Sequence, residues 1–228
     1  MTADDSREIV AIDIALISLR VSTSVIGRAL ALLDDSERAT ASGRDVDARR
    51  RHVVAHAAAR VLVAERLGTD PTALVIGHEP GGRPTTPGAA FSLSHSGDRA
   101  AVATTRPGVN IGVDLERVRV RPQLDRLAAR VFADDEYERW HRLAPRVRPR
   151  VFAQRWTEVE AVLKARGTGI AGGFASARDL PPGWSCTPFD AGGGYVGAIA
   201  SDTSPMVVRT RVFRLGDALA RDRDVTGG

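Results

Sequence analysis

Apolar and polar positions change rhythm several times along this chain, and each change predicts an element. Residues 9–17 are nearly continuous in apolar and β-branched side chains, as in a buried strand. Asp34-Asp35-Ser36-Glu37 supplies helix-start chemistry. From about 47 to 67, Val53, Ala57, Val61 and Ala64 recur at helical spacing, and Gly68 with Pro71 beyond it ends that helix. Residues 77–89 are rich in Gly, Pro and Thr and predict a loop. Strands follow at 89–94, 100–104 and 109–116, separated by the turns Ser96-Gly97-Asp98 and Arg106-Pro107-Gly108. Two helical stretches, 124–132 and 135–143, precede a basic, Pro-containing break at 144–150. An amphipathic helix over 151–166 closes at Gly167, and strands at 184–189, 195–200 and 206–213 complete the pattern.

The order long helix, Gly-rich stretch, three strands therefore occurs twice, on either side of about residue 110. That pattern predicts an α+β protein of two similar lobes, 1–109 and 110–217, packed face to face in a pseudo-twofold arrangement. The polar residues 218–228 read as a loose tail. A cleft between such lobes is a common place for a site.

Composition narrows the classes. A hydrophobic content of 43% and a charged content of 26% are those of an ordinary globular protein. The single cysteine, Cys186, excludes an internal disulfide. The N-terminus opens on Asp4 and Asp5 rather than a basic, then apolar, leader, and residues 9–19 are too short to span a bilayer. The expectation is a soluble, cytoplasmic protein without a membrane partner. The net charge of +4 rests almost wholly on arginine, suited to phosphates or an acidic protein surface. No dense basic run with interleaved aromatics argues for nucleic acid.

Against that background Lys164 stands out as the only lysine. It lies four residues after Glu160, so both side chains share a helix face. A helix salt bridge, about 0.2–0.5 kcal/mol, is the plain reading. Asp114 and Glu116, one pleat apart in Ile111-Gly112-Val113-Asp114-Leu115-Glu116, share a strand face, and a solvated strand end explains them equally well alone. If strand and helix meet, Asp114, Glu116 and Glu160 form an oxygen-only site of the kind Mg²⁺ takes, with Mn²⁺ as an alternative, and Lys164 reaches the same phosphates. The segment Phe91-Ser92-Leu93-Ser94-His95-Ser96-Gly97-Asp98 reads as a hairpin or a phosphate clamp through Ser94 and His95. Its Ser, His and Asp are too close in sequence for a hydrolase triad. His52 and His56 lack the Glu and the third ligand of a zinc helix, and Gly192-Gly193-Gly194 is a turn without a following helix.

These segments resemble, in this order, the 4′-phosphopantetheinyl transferase superfamily. Its signature is an apolar-Gly-apolar-Asp-x-Glu strand, about forty residues, then Trp-(Ser/Thr)-x-Lys-Glu-(Ala/Ser)-x-x-Lys. Here the second part is Trp156-Thr157-Glu158-Val159-Glu160-Ala161-Val162-Leu163-Lys164. Gly82-Arg83-Pro84 and Phe91 to Ser96 resemble the family's Gly-Lys-Pro and Phe-Asn-Leu-Ser-His-Ser segments. Val159, Arg83 and Ser92 depart from the family's Lys, Lys and Asn, and Val159 implies one phosphate contact fewer, or one supplied by an arginine.

The resemblance implies the transferase fold in its monomeric, pseudo-dimeric form that activates peptide and polyketide synthases. It implies transfer of the phosphopantetheine arm from coenzyme A, as co-substrate, to a serine of an apo acyl or peptidyl carrier protein with an acidic surface. Asp114, Glu116 and Glu160 would hold Mg²⁺. Glu160 would serve as base and Lys164 would stabilise the leaving group, while Arg51, Arg83, Pro84, Ser94, His95 and Lys164 would contact coenzyme A. The alternative is a coenzyme A or carrier-binding module of the same fold without turnover.

Overall fold

The computed structural model describes residues 9–169 and 173–225, with side chains through Arg221. The expected residues 1–8 and 226–228 of the two chain ends lie outside the described residues. The protein is α+β. Strand β1 (Val10–Ser18) is followed by helices α1 (Thr23–Leu32), α2 (Asp35–Ser42) and α3 (Val46–Leu67). Two short strands, β2 (Gly77–His78) and β3 (Pro84–Thr85), pair inside the expected loop. Next come β4 (Ala90–Ser96), β5 (Arg99–Thr105) and β6 (Ile111–Arg117). Helices α4 (Leu124–Val131), α5 (Asp134–His141) and α6 (Arg148–Arg166) lead to β7 (Ser185–Gly192), β8 (Tyr195–Ser201), β9 (Met206–Phe213) and α7 (Leu215–Val225).

Local chemistry explains the boundaries. Ser22, Asp34 and Asp45 each cap a helix by accepting a backbone N–H, and Asp34 with Glu37 completes a capping box. Helix α6 starts at Arg148, inside the expected break, because Pro149 falls in its first turn, where no backbone donor is lost. Gly167 closes α6 in the left-handed conformation.

Two sheets carry the fold. One has the order β4-β5-β1-β9 and the other β6-β8-β7. Ile12 and Ile14 of β1, Ala101 and Ala103 of β5, Val113 and Leu115 of β6 and Ile199 of β8 form one apolar layer between them. On the far side of the first sheet, α1 and α3 cover Ala15, Ile17, Ala100 and Val102; on the far side of the second, α6 covers Ala198 and Ala200. Two expectations need correction. Strand β9 does not join its sequence neighbours but pairs in parallel with β1, Ile12 opposite Val208. The segment from 218 is not loose through 225: Ala218 and Leu219 are buried on α7, packed with Phe213 into the core beside α1 and α3. No helix among the described residues is long and apolar enough to cross a membrane.

Candidate functional site

Strand β6 and helix α6 meet almost backbone to backbone at Gly112. A Cβ there would lie 2.1 Å from the Ala161 carbonyl oxygen and 2.4 Å from the Ala165 nitrogen. Glycine at that position is what lets the outer face of β6, bearing Asp114 and Glu116, lie directly under the helix that bears Glu160 and Lys164. Lys164 turns to the strand rather than back to Glu160. Its Nζ donates to Asp114 Oδ1 at 2.8 Å and to the Val113 carbonyl at 3.0 Å.

A second joint brings the first sheet to the same place. Edge strands β4 and β6 are seamed through side chains: Ser92, Ser94 and Ser96 accept the backbone N–H groups of Val113, Leu115 and Arg117. The same hydroxyls orient the acids, Ser94 donating to Asp114 Oδ1 and Ser96 to Glu116 Oε2, each at 2.8 Å. Ser94, expected as a phosphate donor, is thus engaged with Asp114. Glu116 is held at its other oxygen by Arg121, 2.7 Å away.

Asp114 and Glu160 are buried, and Asp114 Oδ2 and Glu160 Oε1 have no hydrogen-bond partner. Burial raises the pKa of Asp114, opposed by Lys164 and Ser94. Burial also raises that of Glu160, reinforced by the neighbouring charge of Asp114. Two bare, buried, anionic oxygens are costly unless a cation meets them. The donor set, hard oxygens only, fits a Mg²⁺-type ion. Among the described residues, no three His, Cys, Asp or Glu side chains converge closely enough to hold a metal by themselves. Of the three acids expected to hold a cation, Asp114 and Glu160 each carry an oxygen without a hydrogen-bond partner, and Glu116 is paired with Arg121 and Ser96.

The other nominated residues are spread around this pair. His95 lies on the face of β4 turned to α3. Desolvation and the charges of His56, Lys164, Arg44 and Arg51 depress its pKa, so it stays neutral more readily than an ordinary histidine. Arg51 is half-buried on α3. The guanidinium of Arg83 is engaged with Glu79, the Asn110 side chain and the Ala165 carbonyl, tying the loop before β3 to the end of α6; Pro84 opens β3. Val159, on α6 itself, is fully buried in the core, so the family's lysine position is a packing position here. The His52 and His56 rings lie 3.9 Å apart, tilted by 32°, and both turn to Glu37. A hollow of about 450 Å³ by Arg20, Arg99 and Tyr195 shares none of these residues.

Sequence reasoning missed Ser92 and Ser96, although their period-two spacing along β4 was a readable signal. It also missed Arg121, for which no local signal exists in so arginine-rich a chain.

Residues 110–210, which contain β6, α6 and both orphaned oxygens, match the family model described as the 4′-phosphopantetheinyl transferase superfamily. Over that segment the chain is similar to this superfamily. Named transferases are among its relatives. The 4′-phosphopantetheinyl transferase HetI of Nostoc is 37% identical over 131 residues, 54% of each chain. The transferase AcpT of Salmonella typhimurium is 34% identical over 113 residues, 48% of this chain and 57% of its own. The protein slr0495 of Synechocystis is 34% identical over 131 residues, 55% of this chain and 53% of its own. The chain thus spans about half the length of the relatives it matches.

Proposed function

We propose that this protein transfers the 4′-phosphopantetheine group of coenzyme A to a serine hydroxyl of an apo acyl or peptidyl carrier protein. The observation carrying the reading is the pair of unpartnered, buried carboxylate oxygens, Asp114 Oδ2 and Glu160 Oε1, beside the ammonium of Lys164. Asp114 and Glu160, with Glu116 nearby, would hold Mg²⁺ or Mn²⁺. When bound, such an ion would neutralise charge on the diphosphate of coenzyme A and on the phosphate that departs from it.

The chain's own residues supply the rest. The serine oxygen forms a bond to the phosphorus bearing the pantetheine arm, and the bond from that phosphorus to the departing adenosine bisphosphate oxygen breaks. The serine proton passes to Glu160, the carboxylate beside the reacting phosphate, acting as general base. Lys164 offers its charge to the leaving phosphate, and Arg51 and His95 line the approach for further phosphates. Arg83, Pro84 and Ser94 act on coenzyme A through the loop and the strand they brace. The α3-covered and α6-covered sheets support a two-lobed, pseudo-twofold monomer. The arginine-rich exterior suits an acidic carrier and a cytoplasmic setting.

Intact-mass spectrometry of an apo carrier protein, incubated with this chain, coenzyme A and Mg²⁺, tests the reading. One phosphopantetheine arm should be gained, and EDTA or Asp114→Ala should abolish the gain. No gain on any of several carrier types, with coenzyme A still bound, would replace the transferase by a binding module.

A further inference from the structure

We propose that the hollow beside Arg99 and Arg117, at the mouth of the layer between the two sheets, is a second ligand site. Its ligand would be a small molecule with an apolar body and an anionic oxygen head, phosphate or carboxylate. The hollow lies on the opposite face of β6 from Asp114 and does not depend on the transferase reading.

Alternation along the strands puts the charges there. Ala101 and Ala103 of β5 and Val113 and Leu115 of β6 fill the layer between the sheets. The next positions on the same faces, at the end where β6 stops and β5 starts, are Arg99 and Arg117. The apolar layer thus ends in two guanidinium groups instead of closing. It leaves a hollow of about 450 Å³, within the range of small-molecule sites, with Leu16, Ala191 and Val212 as apolar wall.

Positive charge is in excess at this mouth. Arg20, Arg99 and Arg117 line it against one carboxylate, Asp98. That carboxylate is already taken, by Arg20 at 2.7 Å and by Arg50 at 3.1 Å. Arg99 donates to the Ala191 and Gly192 carbonyls and lies 4.9 Å over the Tyr195 ring. Among the described residues neither Arg99 nor Arg117 has a carboxylate partner. Tyr195 is only 7% exposed; its oxygen accepts the Asp98 N–H at 3.2 Å, and its own proton has no acceptor among the described residues. A guanidinium fork meets an oxyanion in parallel hydrogen bonds, and the attraction is stronger where apolar wall replaces water on one side. Arg20 and Arg99 come from the first sheet, Arg117 and Tyr195 from the second, so an occupant would bridge the sheets.

Phenyl phosphate and benzoate, alike in ring and different in head, are the probes. Each is titrated into isotope-labelled full-length protein while backbone amide shifts are followed. Binding should move the amides of Arg99, Arg117 and Gly193, leave those of Glu160 and Lys164 in place, and raise the melting midpoint. The tighter probe identifies the head. Arg20→Ala and Arg117→Ala, both at exposed side chains, should each weaken binding about tenfold, the loss of one charge-assisted hydrogen bond, without lowering the probe-free midpoint. Arg51→Ala, in the proposed coenzyme A cleft, should leave it unchanged. Shifts gathered instead at His95 and Lys164, and lost in Arg51→Ala, would put the anion in that cleft and overturn the inference. Binding untouched by Arg117→Ala, or no binding of either probe at millimolar concentration, would overturn it equally.

Discussion

Two buried charge clusters, one under α3 and one under α6, are built from the same kinds of side chain and end in opposite states. Under α3, Arg60 is 1% exposed and fully engaged: it donates to Glu37, Asp34 and the carbonyls of Pro71 and Leu74. Burial alone would raise the pKa of Glu37, but hydrogen bonds from His56 and Arg60 and the guanidinium charge overcome it and lower it to about 2. Under α6, each of Asp114 and Glu160 keeps a bare oxygen, and both carboxyls are pushed upward. A cluster that satisfies itself stabilises the fold. One that does not is waiting for something from outside, and this is how burial and partner counts separate a structural network from a site.

The sharpest contrast is between removing Arg60 and removing Glu160. Arg60→Ala strands Glu37 in the interior and should cost about 3–5 kcal/mol in denaturant unfolding, with activity per folded molecule unchanged. Glu160→Gln should lower phosphopantetheine transfer by about 10²–10⁴, as expected for a lost base, while the fold persists. If the two variants exchanged phenotypes, the contrast between the clusters would collapse.

Next in size is Gly112→Ala. Its methyl group would have to displace the α6 backbone, so about 3 kcal/mol of stability and most activity should go together. Thermal melts and the carrier-mass assay on one preparation would check that pairing.

The pH response separates the clusters more gently. His52 has its pKa lowered from 6.5 to about 4, chiefly by burial. Below 6.5 the unfolded chain takes up the proton first, so stability should fall as pH drops from about 6.5 to about 4. Glu37 contributes stability present above its ordinary value of 4.5, which should be lost as pH falls from there to about 2. Asp114 and Glu160 work in the other direction. Their raised folded pKa values make the metal-free protein less stable as pH rises above the ordinary carboxylate range. A His52→Gln variant should lose the upper part of the acid transition, and Glu160→Gln should soften the opposite slope.

Much of the site was legible in the sequence because it rests on residue type at short spacing. Alternation places Asp114 and Glu116 on one strand face, and the i, i+4 interval places Glu160 and Lys164 on one helix face. That β6 and α6 touch was signalled by Gly112, although only the resemblance gave that glycine meaning. The partner choice of β9 was not legible: residues 206–213 read as a strand, and nothing local says that β1 rather than β8 will receive it. Helix α7 follows from the same non-local choice, since its apolar residues find a core only once β9 has crossed back. Arg121 was hidden for another reason. One arginine among many acquires its role only from the rings and the carboxylate that the fold brings to it.

The thermal melt of metal-free Glu160→Gln, set against wild type at neutral pH, tests the central distinction most directly. If Glu160 is an unpartnered charge held for a ligand, the neutral amide should raise the midpoint by roughly 2–4 °C, about 1 kcal/mol, while transfer is lost. A midpoint lowered by that amount would show that Glu160 is a structural partner, and the contrast between the two clusters would not stand.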